Sequence, residues 1–365
     1  MIWAVLLECG GLALLALGGE LLVRGASRLA AWARISPLVI GLTVVAFGTS
    51  APELAISLKS ASAGQADLAV GNAVGSNICN VLLILGISAL IAPTAVSSRL
   101  LWVDVPVMIG VSLALFVAGL GGSISPLVGV SFFLALIGYV VWTIRAGRHE
   151  VPEVVEEYEH EFATAKPRTR WGLLLHAGQI VAGLALLSVG ADWMVDGAVT
   201  IARFFGVSEL TIGLTVVAVG TSLPEVAATV VASVRGERNI AVGNIVGSNI
   251  FNILCVLGLA AAVSPDGLPI APAAMSFDIP LMIVVAAACL PIFFTGHRIA
   301  RWEGAAFVAY YAAYLAYLIL EATNEGMGRT LAVFVVGFAV PLTAITMAIG
   351  TVRYARELQR CKAAD

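Results

Sequence analysis

Long apolar runs, each broken by only a few polar residues, fill most of the chain, and their length predicts membrane helices. A helix needs roughly 20 apolar residues to cross a bilayer. On that measure, spans are expected near 2–23, 36–58, 68–91, 102–120, 124–144, 172–192, 207–234, 240–263, 277–295, 302–320 and 330–352. The first run has no basic residue ahead of it, and Glu8 beside Cys9 disfavours a cleavage site, so it reads as a retained helix.

The polar interruptions are not random. Residues 41–86 carry GLTVVAFGTSAPELAISL and DLAVGNAVGSNICNVLLILG; residues 213–258 carry GLTVVAVGTSLPEVAATV and NIAVGNIVGSNIFNILCVLG. The two stretches align without a gap at an offset of 172, with 26 of 46 positions identical. Upstream, Gly18, Glu20, Val23, Gly25 and Ala26 pair with Gly190, Asp192, Val195, Gly197 and Ala198; downstream, Asp104-Val-Pro106 is echoed by Asp278-Ile-Pro280. Five spans per copy is an odd number, so the second copy enters the membrane from the opposite side. Its flank agrees, since Arg24, Arg28 and Arg34 become Asp196, Thr200 and Gly206.

The expected fold is therefore an all-α integral membrane protein. Two inverted five-helix halves form a ten-helix core, followed by an eleventh C-terminal transmembrane helix. The divisions are 1–144 for the first repeat, 145–171 for a hydrophilic linker, 172–322 for the second repeat, and 323–365 for the extra helix and a basic tail.

Composition agrees. Charged residues make up 12% and hydrophobic ones 60%, against about 25% charged in soluble domains. The net charge of −3 matters less than its placement. With the N-terminus outside, seventeen basic residues fall in inside segments and three (Lys59, Arg203, Arg329) outside. This positive-inside pattern predicts a multi-pass plasma-membrane protein with a cytoplasmic C-terminus. The acidic stretch Glu150 to Glu161 reads as linker; it lacks EF-hand spacing. Five scattered cysteines show neither metal-ligand spacing nor a disulfide framework.

The chemistry lies in the repeated seam. Pro52 lacks an N–H, so carbonyls near Ala46 and Gly48 are expected to lose helical partners. Glu53 follows Thr49 by one helical turn. Thr221, Ser222, Pro224 and Glu225, with Ala218 upstream, repeat the arrangement. On the next span Asn72, Ser76 and Asn80 share one stripe, as do Asn244, Ser248 and Asn252; Asn77 and Asn249 point to an adjacent face. Gly71 and Gly75, like Gly243 and Gly247, suit close helix packing.

A mid-helix carboxylate costs at least ~2.5 kcal/mol on insertion scales, and Glu53 and Glu225 incur that cost at matching positions. Function is the reading for this pair. Glu8, Glu20, Asp104, Asp192, Asp196 and Asp278 lie near helix ends, where capping or snorkelling suffices. Carboxylates, carbonyls, amides and hydroxyls make an all-oxygen site without thiolate or imidazole, which suits a hard, flexible-shelled cation such as calcium. Two glutamates in low dielectric require cations or a proton between them. That requirement is the basis of exchange. A cation channel is less favoured, because channels gather filters from repeated subunits. No cofactor, enzyme motif or nucleic-acid partner is expected; the partners are the transported ions and the lipid bilayer.

The paired GTSxPE and GNxxGSNxxN segments resemble the two α-repeats of the cation/calcium exchanger superfamily, and within it the bacterial sodium/calcium exchangers. The resemblance implies Na⁺/Ca²⁺ antiport by alternating access, extruding calcium, with the first and sixth helices sliding over a steadier core. It implies that Glu53 and Glu225 coordinate Ca²⁺ with backbone oxygens of Thr49 and Thr221. Sodium sites would share the glutamates and add Ser50, Ser76, Ser222, Ser248 and the Ala46 and Ala218 carbonyls. Such exchangers usually carry Asp where this chain has Asn252, opposite Asn80. Proton-coupled relatives usually carry Gly-Asn-x-x-Glu where this chain has Gly-Thr-Ser-x-Pro-Glu, which favours sodium coupling over the alternative, a cation/proton antiporter.

Overall fold

The apolar runs form helices whose outer faces keep large side chains such as Leu12, Val117, Leu127 and Val181 exposed, as lipid contact requires. The structure, a computed structural model, describes residues 2–147, 170–207, 212, 216, 218–294 and 297–323. The central part of the expected linker, the eleventh span and the basic tail lie outside the described residues.

In chain order the helices are α1 (Ile2–Ala33), α2 (Pro37–Thr49), α3 (Ala51–Ser62), α4 (Ala66–Ile91), α5 (Leu100–Gly119) and α6 (Pro126–Gly147). The second half has α7 (Arg170–Phe204), a short turn at Ala218–Gly220, α8 (Leu223–Val234), α9 (Arg238–Val263), α10 (Ala274–Phe294) and α11 (Arg301–Thr323). Among the described residues, eight helices are long and apolar enough to span a bilayer, and α2 with α3 makes a ninth, broken span. The sequence reading drew residues 36–58 as one helix; the structure bends it by 45° at Ser50, two residues before Pro52.

Two tiny antiparallel ladders tie loops of opposite halves. β1 (Thr94–Ala95) pairs with β4 (Arg298–Ile299), and β2 (Ser123–Ile124) pairs with β3 (Leu268–Pro269). Each ladder joins loops that the basic-residue count assigns to one side.

The halves do not build separate cores. α4 and α9 are the buried centre, and each packs on the last helix of the other half through paired glycines. A Cβ on Gly86 would meet the Gly304 carbonyl at 2.9 Å, and one on Gly129 the Gly258 carbonyl at 2.5 Å. Small residues serve here because helix association in lipid depends on close packing rather than on hydrophobic burial. α1 and α7 lie antiparallel along a similar glycine face.

Wide π-helical turns recur in register: Asn80–Leu85 with Asn252–Leu257, and Leu100–Asp104 with Ala274–Asp278. Such turns gather at functional sites. The second pair also corrects the reading of Asp104 as a snorkelling end residue. Its side chain is wholly buried, accepts from Tyr139 Oη at 3.0 Å and lies 3.7 Å from Arg99 Nε. Asp278 accepts from Tyr314 Oη at 3.2 Å. These carboxylates clamp α5 to α6 and α10 to α11.

Candidate ion-binding site

Serine at the break in each half leads into a new helix whose first turn holds the glutamate. Ser50 and Ser222 have non-helical backbone angles, and Pro52 and Pro224 start α3 and α8. Proline is tolerated there because the first-turn N–H groups lack helical acceptors anyway. Glu53 and Glu225 are thereby delivered to the middle of the bundle, where both are buried and close enough to interact electrostatically. An acidic group in a helix's first turn also meets the positive end of the helix dipole.

The halves exchange contacts across the seam. Ser50 Oγ donates to Glu225 Oε1 at 3.0 Å. Its counterpart Ser222 donates to Ser76 Oγ at 3.3 Å beside Glu53. Thr49 Oγ1 donates to Asn244 Oδ1 at 3.1 Å, and Asn244 Nδ2 donates to Thr229 Oγ1 at 3.1 Å. In the first half Asn72 Nδ2 donates to the Glu53 carbonyl at 3.2 Å and to Ser57 Oγ at 3.0 Å. Asn72 and Asn244 thus brace the helices that carry the glutamates.

One expectation fails on geometry. The Ala46 carbonyl keeps its helical bond from Ser50 N at 3.1 Å and also accepts from Thr49 Oγ1 at 3.4 Å. Pro52 removes the donor that serves residue 48, four back, and leaves the one serving residue 46 intact. Ala218 lies at the start of the equivalent turn, and Thr221 is half-buried just after it.

A set of buried oxygens has no hydrogen-bond partner among the described residues. Among them are both carboxylate oxygens of Glu53, Glu225 Oε2, Asn80 Oδ1, Asn252 Oδ1 and Ser248 Oγ. Unsatisfied buried polar atoms are costly, yet six of them belong to the residues singled out by the repeat. An array of acceptors without donors is what a cation satisfies. Among the described residues, no cluster of three or more His, Cys, Asp or Glu side chains exists to hold a transition metal.

The glycines on the seam separate the two halves. Gly243 and Gly247 pack on α2, where an added Cβ would meet the Leu38 carbonyl at 2.8 Å and the Leu42 carbonyl at 2.7 Å. Around Gly71 and Gly75 no described residue comes within 4 Å of a Cβ, and the residues that match Leu38 and Leu42 in the second half lie outside the described residues. Gly71 is exposed and Asn72 part-exposed, whereas Gly243 and Asn244 are buried. The same asymmetry runs along the glutamate helices. Ala55 and Lys59 on α3 are exposed, while Ala227 and Val231 on α8 are covered by Gly19 of α1. At that end α1 is also tied by an ion pair from Glu20 to Arg235 and by Ser27 Oγ donating to Glu237 Oε1 at 2.8 Å. Glu20, read from sequence as an end residue, is ion-paired to both Arg24 and Arg235.

Comparison with known proteins follows the same lines. The family described as sodium/calcium exchanger protein matches residues 3–145 and 175–320. The chain is 42% identical over 270 residues to the putative antiporter CaxA of Alkalimonas amylolytica, covering 73% of this chain and 82% of that one. It is 39% identical over 285 residues to the inner membrane protein YrbG of Escherichia coli, covering 78% and 87%. With the sodium/calcium exchanger MaX1 of Methanosarcina acetivorans it shares 33% identity over 340 residues, 84% of this chain and 96% of that one. A solved structure of the sodium-calcium exchanger NCX_Mj, soaked with Na⁺ and Sr²⁺, superposes with a TM-score of 0.73 at 31% identity, covering 86% of this chain and 98% of that one. Profile, relatives and superposition agree: the chain belongs to the sodium/calcium exchanger family, a family of transporters rather than enzymes.

Proposed function

We propose that this protein exchanges Na⁺ for Ca²⁺ across the cell's inner (plasma) membrane, extruding calcium down the sodium gradient. The observation that carries this reading is the set of buried, donor-free oxygens on Glu53, Glu225, Asn80, Asn252 and Ser248, all residues of the repeated seam. Calcium takes six to eight oxygens in flexible geometry, and the array mixes carboxylate, amide and hydroxyl oxygen in that way. Thr49, Thr221, Ser50, Ser76, Ser222 and the carbonyls of Ala46 and Ala218 complete the proposed ion path. The names of its relatives, two of them sodium/calcium exchangers and one an inner membrane protein, support the same reading.

The test is radiolabelled calcium uptake into proteoliposomes holding the purified chain. An inward calcium flux that follows an outward sodium gradient and stops when choline replaces sodium is the expected result. Equal flux driven by a pH gradient without sodium would overturn sodium coupling in favour of proton coupling, while single-channel currents would overturn exchange itself.

With the N-terminus outside, α1 is tied at the inner end of the bundle through Glu20–Arg235 and Ser27–Glu237. A half-exposed ion pair of this kind contributes about 0.5–1 kcal/mol. Arg235→Ala is therefore expected to shift the balance toward the opposite state and to raise the external half-saturation for calcium by roughly two- to five-fold. An unchanged external half-saturation, in a variant with normal maximal flux, would show that the pair does not hold this state.

A further inference from the structure

Asn80 and Asn252 owe the direction of their oxygens to two other asparagines. Asn77 on α4 and Asn249 on α9 face each other where these helices cross, both buried. Each gives its amide to the other's backbone: Asn77 Nδ2 donates to the Asn249 carbonyl at 3.2 Å, and Asn249 Nδ2 to the Asn77 carbonyl at 3.4 Å. Each also lies 3.4 Å from a methionine sulfur, Asn77 from Met282 and Asn249 from Met108. Their oxygens then accept from the seam residue of the opposite half. Asn252 Nδ2 donates to Asn77 Oδ1 at 3.0 Å, and Asn80 Nδ2 donates to Asn249 Oδ1 at 2.9 Å.

This network admits one orientation. An asparagine side chain offers N–H at one end and oxygen at the other. Turning Asn252 over would set its oxygen against the oxygen of Asn77. Turning Asn77 as well would set oxygen against the Asn249 carbonyl, and a backbone carbonyl has no hydrogen to give. The constraint therefore starts at the backbone, passes through Asn77, and ends with Asn252 Oδ1 aimed away from its partner. Asn249 does the same for Asn80. The two outward oxygens are the buried, unpartnered Oδ1 atoms of Asn80 and Asn252.

We propose that Asn77 and Asn249 are positioning residues wired crosswise, each half aiming the cation-ligating oxygen of the other: Asn77 sets Asn252, and Asn249 sets Asn80. This rests on the reading that those two oxygens face the transported cation. The Oδ1 of each positioning residue is already engaged by its partner's amide, so each acts through its partner. The wiring also couples the halves at the centre of the bundle, since each positioning amide is hydrogen-bonded to the backbone of the opposite helix, the one that carries the ligand it fixes.

A double-mutant cycle tests it, read as equilibrium Ca²⁺ affinity of the purified full-length protein by titration calorimetry. Asn252→Ala and Asn77→Ala are each expected to weaken binding roughly ten-fold, and the double variant is expected to stay within about two-fold of Asn252→Ala alone. The mismatched double, Asn77→Ala with Asn80→Ala, is expected to multiply to roughly a hundred-fold. Where Asn77→Ala fails to elute as a monodisperse species, Asn77→Ser replaces it in the same cycle, its hydroxyl still able to donate locally but too short to reach Asn252. Multiplicative losses in the matched pair overturn the wiring and leave Asn77 a packing residue. Unchanged affinity in both Asn80→Ala and Asn252→Ala overturns the ligand reading instead, and the positioning role with it.

Discussion

Replacing Glu53 or Glu225 with Gln is expected to abolish calcium transport, each single change being as damaging as both together. The two carboxylates come from opposite halves, are fully buried, and supply three of the unpartnered oxygens. Glutamine keeps the shape and one oxygen but removes a charge and points N–H groups at a cation. Truncating one partner of a buried charge pair costs about 2–5 kcal/mol, and each ~1.4 kcal/mol is a factor of ten in affinity. A loss of at least roughly thirty-fold in apparent Ca²⁺ affinity is expected from either variant. Radiolabelled flux and calorimetry on the same preparations check it. Flux within two-fold of the parent in both variants would remove the site from this seam.

The second large effect concerns the face between α1 and α7. Gly11, Gly18 and Gly25 of α1 recur every seven residues, as do Gly183, Gly190 and Gly197 of α7, so the antiparallel helices meet backbone to backbone. A Cβ at Gly18 would lie 2.8 Å from the Gly183 carbonyl and 2.9 Å from Leu187 N; one at Gly183 would lie 2.6 Å from Leu22 N. Backbone atoms cannot swing aside as a side-chain tip does, so the helices must part. Such overpacking costs about 1–3 kcal/mol, comparable with the few kcal/mol that separate transport states. The nearest atoms to a Cβ at either glycine belong to the facing helix, not to the glutamate seam. Gly18→Val and Gly183→Val are expected to cut exchange at least roughly ten-fold while Ca²⁺ binding stays within a few-fold of the parent. Parent-like exchange would show that the pair yields without cost. Loss of binding in a well-folded variant would make this face part of the site's architecture.

Much of this was legible beforehand because lipid makes polar residues expensive. Glu53 and Glu225 stood out since a mid-helix charge demands a reason, and the gapless repeat made the reason shared. The odd number of spans per repeat and the loss of Arg24, Arg28 and Arg34 in the second copy pointed to inversion. The roles hidden from sequence belong to residues whose partners are distant in the chain. Asn77 and Asn249 look like off-stripe residues on any single helix, and only the crossing of α4 and α9 makes them a pair. Glu20 and Arg235 are separated by 215 positions, and no local pattern joins them. Asp104 counts as an end residue by position, yet a π-helical turn carries it inside to Tyr139.

The amino-acid sequence by itself determined the class of the protein, its inverted duplication and the two carboxylates, because hydrophobicity, helix period and charge cost act locally along a chain. Tertiary structure decided which oxygens remain without donors and how the halves interlock through glycine contacts. It also decided that nearly identical stretches sit in different surroundings, with Gly71 exposed and Gly243 packed against α2. The physical reason is that hydrogen-bond donors and packing partners come from segments far apart in the chain, which only folding brings together.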